Sequence, residues 1–123
     1  MTTTAHAVNW FEIATTDLDR AARFYERILD VKLKRELFGG IPHAIFPGDK
    51  EAVRGALVDD KTLAPGGAGS RVYLNAPKLD EALARTVEAG GRVVLPRTSI
   101  GPNGFIAMIV DTEGNTVALH TMS

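Results

Sequence analysis

Glu12, Tyr73, Asn75 and His120 occupy alternating positions in apolar segments, where the polar side chains of a strand would share one face. A carboxylate on such a face, if buried, must be paired or must keep its proton to higher pH, and the second state suits a general base. An imidazole can act as acid, base, metal ligand or hydrogen-bond donor near neutral pH. Glu12 and His120 are therefore the candidate catalytic pair, with Tyr73 and Asn75 able to orient a carbonyl or a hydroxyl. Each also has a plain structural use. Glu12 could form an ion pair with Arg71, Tyr73 and Asn75 could tie strands together, and His120 could be an exposed edge residue close to the C-terminus. Trp10, the only Trp, suits a cavity wall, a stacking partner or a core position. His43 is a further binding candidate. His6, near the start, is read as inert.

Other chemistries fail at the residue level. The chain has no Cys, which excludes disulfides, thiol catalysis and thiolate-bound metal. Pro65-Gly66-Gly67-Ala68-Gly69-Ser70 shares only glycine content with a phosphate loop, because no strand leads into it and no Lys follows. Ser70 and Ser99 have no neighbouring base. Asp17, Asp19 and Asp30 flank a helix and read as capping and solvation residues.

The elements that position these residues come in two copies. Trp10-Phe11-Glu12-Ile13 leads into Leu18-Asp19-Arg20-Ala21, and 61 positions on, Arg71-Val72-Tyr73-Leu74 leads into Leu79-Asp80-Glu81-Ala82. Val8 to Ala14 alternates like a half-buried strand, with Phe11 and Ile13 on one face and Trp10 and Glu12 on the other. Thr16 and Asp19 resemble a capping box with Asp in place of Glu. The stripe Leu18, Ala21, Ala22, Tyr25, Ile28, Leu29 then predicts a helix over Leu18–Leu29. Strands follow at Val31–Leu37, His43–Phe46 and Gly55–Val58. Residues 64–70 form a linker. The second unit predicts a strand at Arg71–Ala76 and a helix over Leu79–Ala89 with the stripe Leu79, Ala82, Leu83, Val87, stopped by Gly90-Gly91. Strands at Arg92–Leu95, Gly104–Val110 and Asn115–Thr121 complete it. Gly114 suits the left-handed position of the last hairpin loop. The fold class is α+β, a strand-helix-strand-strand-strand unit used twice. Phe11, Ile13, Val72, Leu74, Val117 and Leu119 should face the helices, leaving Trp10, Glu12, Arg71, Tyr73, Asn75, Ala118 and His120 on the cavity side.

At 123 residues the chain fits one domain, with module 1 over about 7–60 and module 2 over about 70–121. A net charge of −1 and a pI near 6.3 give no basic footprint, so nucleic acid is not an expected partner. No apolar run is long enough to span a bilayer, and the opening Met1-Thr2-Thr3-Thr4-Ala5-His6 is unlike a signal peptide. The expectation is a cytoplasmic protein without a membrane partner.

The stretch from Asp17 to Asp30 and the turn Val110-Asp111-Thr112-Glu113-Gly114-Asn115 resemble the vicinal oxygen chelate superfamily of glyoxalase I, bleomycin-resistance proteins and extradiol dioxygenases. The resemblance runs from about Val8 to Thr121. It implies paired βαβββ modules whose mixed sheet curves around a cup-shaped cavity, and a homodimer. It also implies metal ligands on the first and last strands of each module, at positions aligned with Trp10, Ala56, Arg71 and Ala118. None of these side chains is a ligand, since Trp and Ala lack a donor and a guanidinium stays protonated. The expectation is a glyoxalase-like protein with no metal or other cofactor, binding a small organic molecule through Trp10, Arg71, Tyr73, Asn75 and His43. The alternative is a lyase or isomerase of glyoxalase type using Glu12 and His120 as acid-base pair or, with His43, as relocated metal ligands.

Overall fold

The computed structural model describes residues 9–67 and 69–123. His6 and the expected strand start at Val8 lie outside the described residues, as does Ala68 of the linker. The elements run β1 (Trp10–Ala14), α1 (Leu18–Leu29), β2 (Lys34–Phe38), β3 (Ile41–Ile45), β4 (Arg54–Val58), β5 (Tyr73–Asn75), α2 (Leu79–Glu88), β6 (Arg92–Ser99), β7 (Phe105–Val110) and β8 (Thr116–Thr121). They form two four-stranded mixed sheets, ordered β1-β4-β3-β2 and β5-β8-β7-β6. Each module contributes one sheet, and the α+β architecture of paired βαβββ units is the one expected. In each, the first strand pairs in parallel with the fourth, and the other pairings are antiparallel. The internal repeat is visible in the register, with Glu12 opposite Ala56 in one sheet and Tyr73 opposite Ala118 in the other.

Helix α1 buries Leu18, Ala21, Ala22, Phe24, Tyr25 and Ile28 along one side. Its N-cap is Asp17, whose carboxylate accepts from Arg20 N at 3.0 Å. The expected Thr16–Asp19 box does not form, because the Thr16 backbone and hydroxyl both donate to Glu113 of the other module. The helix closes on Asp30, a non-glycine residue in the left-handed region (φ 54°). In α2, Thr86 takes the buried place expected for Val87, which is 64% exposed. Positions 79, 82, 83 and 86 follow helical spacing more closely than 87 does. The Thr86 hydroxyl is satisfied by donating to Ala82 O at 2.7 Å.

Strand ends differ from the sequence reading for local reasons. The chain after α1 stays bound to the helix, with Val31 N donating to Glu26 O and Leu33 N to Glu26 Oε2, so β2 starts late. Around β5 the ladder continues one residue each way, through Ala118 N to Val72 O and Ala76 N to His120 O. β6 passes through Pro96, which cannot donate to the ladder, by means of register shifts between Val93 and Thr98.

The inner faces of both sheets and both helices share one core, including Ile13, Tyr25, Leu57, Leu74, Ile109 and Leu119. Each large side chain fully buried there contributes roughly 1.5–3 kcal/mol over leaving it in water. Gly55 on β4 lets the Phe11 ring lie flat against the strand, since a Cβ at that position would collide with the ring. Where the modules meet, the β7–β8 loop docks on the start of α1. Tyr25 Oη donates to Asp111 Oδ2 at 2.7 Å, and Asn115 Nδ2 donates to Ala14 O at 2.7 Å.

Candidate functional site

Strand alternation puts Trp10 and Glu12 on the outward face of β1, opposite Arg54 and Ala56 of β4. His43 joins the same face from β3, where it pairs with Val58. The three side chains form one network. Trp10 Nε1 donates to Glu12 Oε2 at 3.2 Å, and His43 Nε2 lies 3.4 Å from the same oxygen. On the other side of its ring, His43 Nδ1 donates to Ile41 O at 2.8 Å, and Phe38 packs edge-on at 4.9 Å. A carbonyl can only accept, so Nδ1 carries a proton. Nε2 faces the Glu12 carboxylate at the longer distance of 3.4 Å, where it can donate when that nitrogen carries a proton.

The second module's outward face carries Tyr73 and Asn75 on β5, opposite Ala118 and His120 of β8. Tyr73 is 50% exposed. His120 Nε2 contacts Asn103 O at 2.7 Å, in the short 3-10 turn Gly101–Asn103. Arg71 is exposed just before β5.

The structure brings Trp10, Glu12 and His43 together and gives His120 a different partner. Among the described residues no hydrogen bond or ion pair joins Glu12 to His120. The side chain that approaches the Glu12 carboxylate is His43 rather than Arg71, because β3 and β4 carry its ring there. Tyr73 and Asn75 border a cleft of about 500 Å³, Glu12 borders a separate groove of about 340 Å³ with Val72 and Asn115, and His120 borders neither. Sequence reasoning missed Arg54, which faces outward from β4 beside Trp10. Reading that strand from Gly55 hid the alternation that would have revealed it.

The positions aligned with the superfamily's metal ligands are Trp10, Ala56, Arg71 and Ala118. Ala56 and Ala118 are fully buried methyl groups. This donor set does not fit a metal ion. Among the described residues no three His, Asp or Glu side chains converge, so Glu12, His43 and His120 do not form the relocated set either. No described helix is long and apolar enough to cross a membrane.

Comparison with known proteins agrees with this architecture. A glyoxylase-like domain-containing protein of Didymella fabae is 29% identical over 120 residues, covering 93% of this chain and 92% of that protein. The antibiotic-binding protein TnmS3 of Streptomyces sp. CB03234 superposes with a TM-score of 0.70 at 27% identity, covering all of both chains. A glyoxalase I mutant of Zea mays superposes with a TM-score of 0.69 at 21% identity over 92% of this chain, which spans 46% of the maize chain. Mycobacterial relatives at 28% identity are likewise longer, this chain spanning 44% of them. Residues 7–119 match the family model, and the chain belongs to the Glyoxalase/Bleomycin resistance protein/Dioxygenase superfamily.

Proposed function

We propose that this protein binds a small organic molecule against the outward faces of its sheets without the superfamily's usual metal centre. The observation that carries the reading is the Trp10–Glu12–His43 network, in which an exposed aromatic ring and carboxylate lie beside a buried imidazole. The lack of donors at Trp10, Ala56, Arg71 and Ala118 supports metal-free binding. Similarity to an antibiotic-binding protein over the full chain supports a sequestering role over a catalytic one.

The proposal includes a cytoplasmic homodimer. Both inner sheet faces are spent on the shared core, so the wall opposite Trp10 and Tyr73 must come from elsewhere. A second copy provides one, with Arg71, Tyr73, Asn75 and His120 contributing polar contacts from module 2. Trp10 as the only Trp makes the test direct. Ligands from a library of small organic molecules should change its emission in metal-free protein, and sedimentation should show a dimer. Metal-dependent binding with about one ion per chain would defeat the reading.

A second reading is a lyase or isomerase. The contact between Glu12 and His43 favours it, with Glu12 rather than a Glu12–His120 pair as the base. Exchange of a carbon-bound proton into heavy water, abolished by Glu12→Gln, is its test.

A further inference from the structure

Next to the Trp10–Glu12–His43 network, which Arg54 adjoins through its pairing with Trp10, a cleft of about 500 Å³ opens where module 1 meets the edge strand β5. Its walls are mostly apolar, with Phe11, Phe46, Val53 and Leu74 from both modules. Arg54 also lines it. Among the described residues the Arg54 side chain enters no ion pair, and its walled-in Nε has no hydrogen-bond partner. A cation lining a largely apolar cleft without a counter-ion is costly unless something pairs with it. The group that complements a guanidinium is planar, negative and able to accept two parallel N–H bonds.

We propose that this cleft binds an organic monocarboxylate, with its carboxylate on Arg54 and its apolar body against Phe11, Phe46 and Leu74. The volume fits a small organic ligand. Asn75 and Tyr73 lie on the far wall and can hydrogen-bond polar substituents. The exposed carboxylate of Asp30 also borders the cleft, so a second negative charge on the ligand is repelled. This selects a monocarboxylate over a phosphate ester. Gly48 leaves room for the Arg54 side-chain stem, since a Cβ there would crowd Arg54 Cγ. Tyr73 and Asn75 border both this cleft and the outward face of module 2, but the proposal does not depend on the network around Glu12.

The test compares 2-naphthoate with 2-naphthamide and 2-naphthyl phosphate by amide chemical-shift titration of the intact protein. The carboxylate should bind at least about tenfold more tightly than either analogue. Its shifts should centre on Phe11, Phe46, Val53 and Asn75. Arg54→Met should weaken the carboxylate by about tenfold or more and leave the amide unchanged. Arg54→Lys, which keeps the charge but not the fork, should recover part of the loss. Equal affinity for acid and amide in the parent protein would overturn the proposal without reference to any variant. So would tighter binding of the phosphate, full affinity in a folded Arg54→Met, or no binding of the acid. Shifts centred on Trp10, Glu12 and His43 would overturn it while leaving the outward-face reading intact.

Discussion

Arg20 Nε donates to Glu113 Oε2 at 2.7 Å, tying the first helix of one module to the last hairpin of the other. The Glu113 side chain is wholly buried while Arg20 is half-exposed. Its carboxylate also accepts from Thr16 N, Thr16 Oγ1, Asp17 N and Thr112 Oγ1. A negative charge thus sits at the N-terminal end of α1, where the helix dipole favours it.

Burial pushes the Glu113 carboxyl up, but the Arg20 guanidinium and the donors of Asp17 and Thr16 outweigh that and hold it at about 2, against an ordinary 4.5. A folded-state value below the unfolded one contributes stability that is complete above about pH 4.5 and is lost as pH falls toward 2. Urea unfolding across that window should show a loss on the order of 2–3 kcal/mol beyond the background of other carboxylates. Glu113→Gln should flatten the profile there. An unchanged slope in the variant would count against the clasp.

Tyr25→Phe tests the second tie between modules. Burial raises the Tyr25 phenol well above its ordinary 10, and the Asp111 charge adds to it. A raised folded-state value means this contribution is present below pH 10 and fades as pH rises further. Removing the hydroxyl leaves Asp111 Oδ2 with Asn115 Nδ2 as its remaining donor at 3.0 Å. The expected cost is about 1–3 kcal/mol by thermal or urea unfolding. A variant as stable as the parent would mean that the pair contributes nothing.

Gly104 precedes β7 with φ of 102°, and a Cβ there would run into the Thr121 carbonyl oxygen. Gly104→Ala should therefore destabilise by more than about 1 kcal/mol. It should also disturb the neighbouring Asn103 carbonyl that contacts His120. The His120 ring signals in the NMR spectrum report this directly, and unchanged signals with unchanged stability would contradict it.

The sequence carried the fold further than the site. Apolar stripes and the 61-residue repeat announce helices and strands, because those patterns are local and each is enforced by one buried face. Strand alternation also set Trp10 and Glu12 on the face of β1 opposite Phe11 and Ile13, and those two side chains are the exposed ones in that strand. What alternation cannot supply is which strands stand side by side. His43 reaches Glu12 across a separation of 31 residues through the β3–β4 and β4–β1 pairings, and no local pattern encodes that approach. Glu113 was read only as part of a turn, since its partners Thr16, Asp17 and Arg20 lie more than 90 residues away on another module.

That long-range approach makes His43, rather than His120, the residue to vary beside Glu12. Glu12→Gln removes the charge that faces His43 Nε2 and weakens the acceptor for Trp10 Nε1. His43→Gln keeps a donor of similar reach while removing the titratable ring. Each should weaken binding of an outward-face ligand by about tenfold, the scale of one hydrogen bond to a charged group. Stability should stay within about 1 kcal/mol for the exposed Glu12, whereas His43→Gln, at a buried ring bonded to Ile41 O, should cost about 1–3 kcal/mol. His120→Ala is the control that separates the two histidines. If it weakens binding as strongly as His43→Gln, the ligand spans both sheets, as a cup completed by a second copy requires. If it leaves affinity unchanged, binding rests on module 1 alone. Variants at Glu12 and His43 that unfold early yet keep full affinity would make the network a structural brace and remove it from the site.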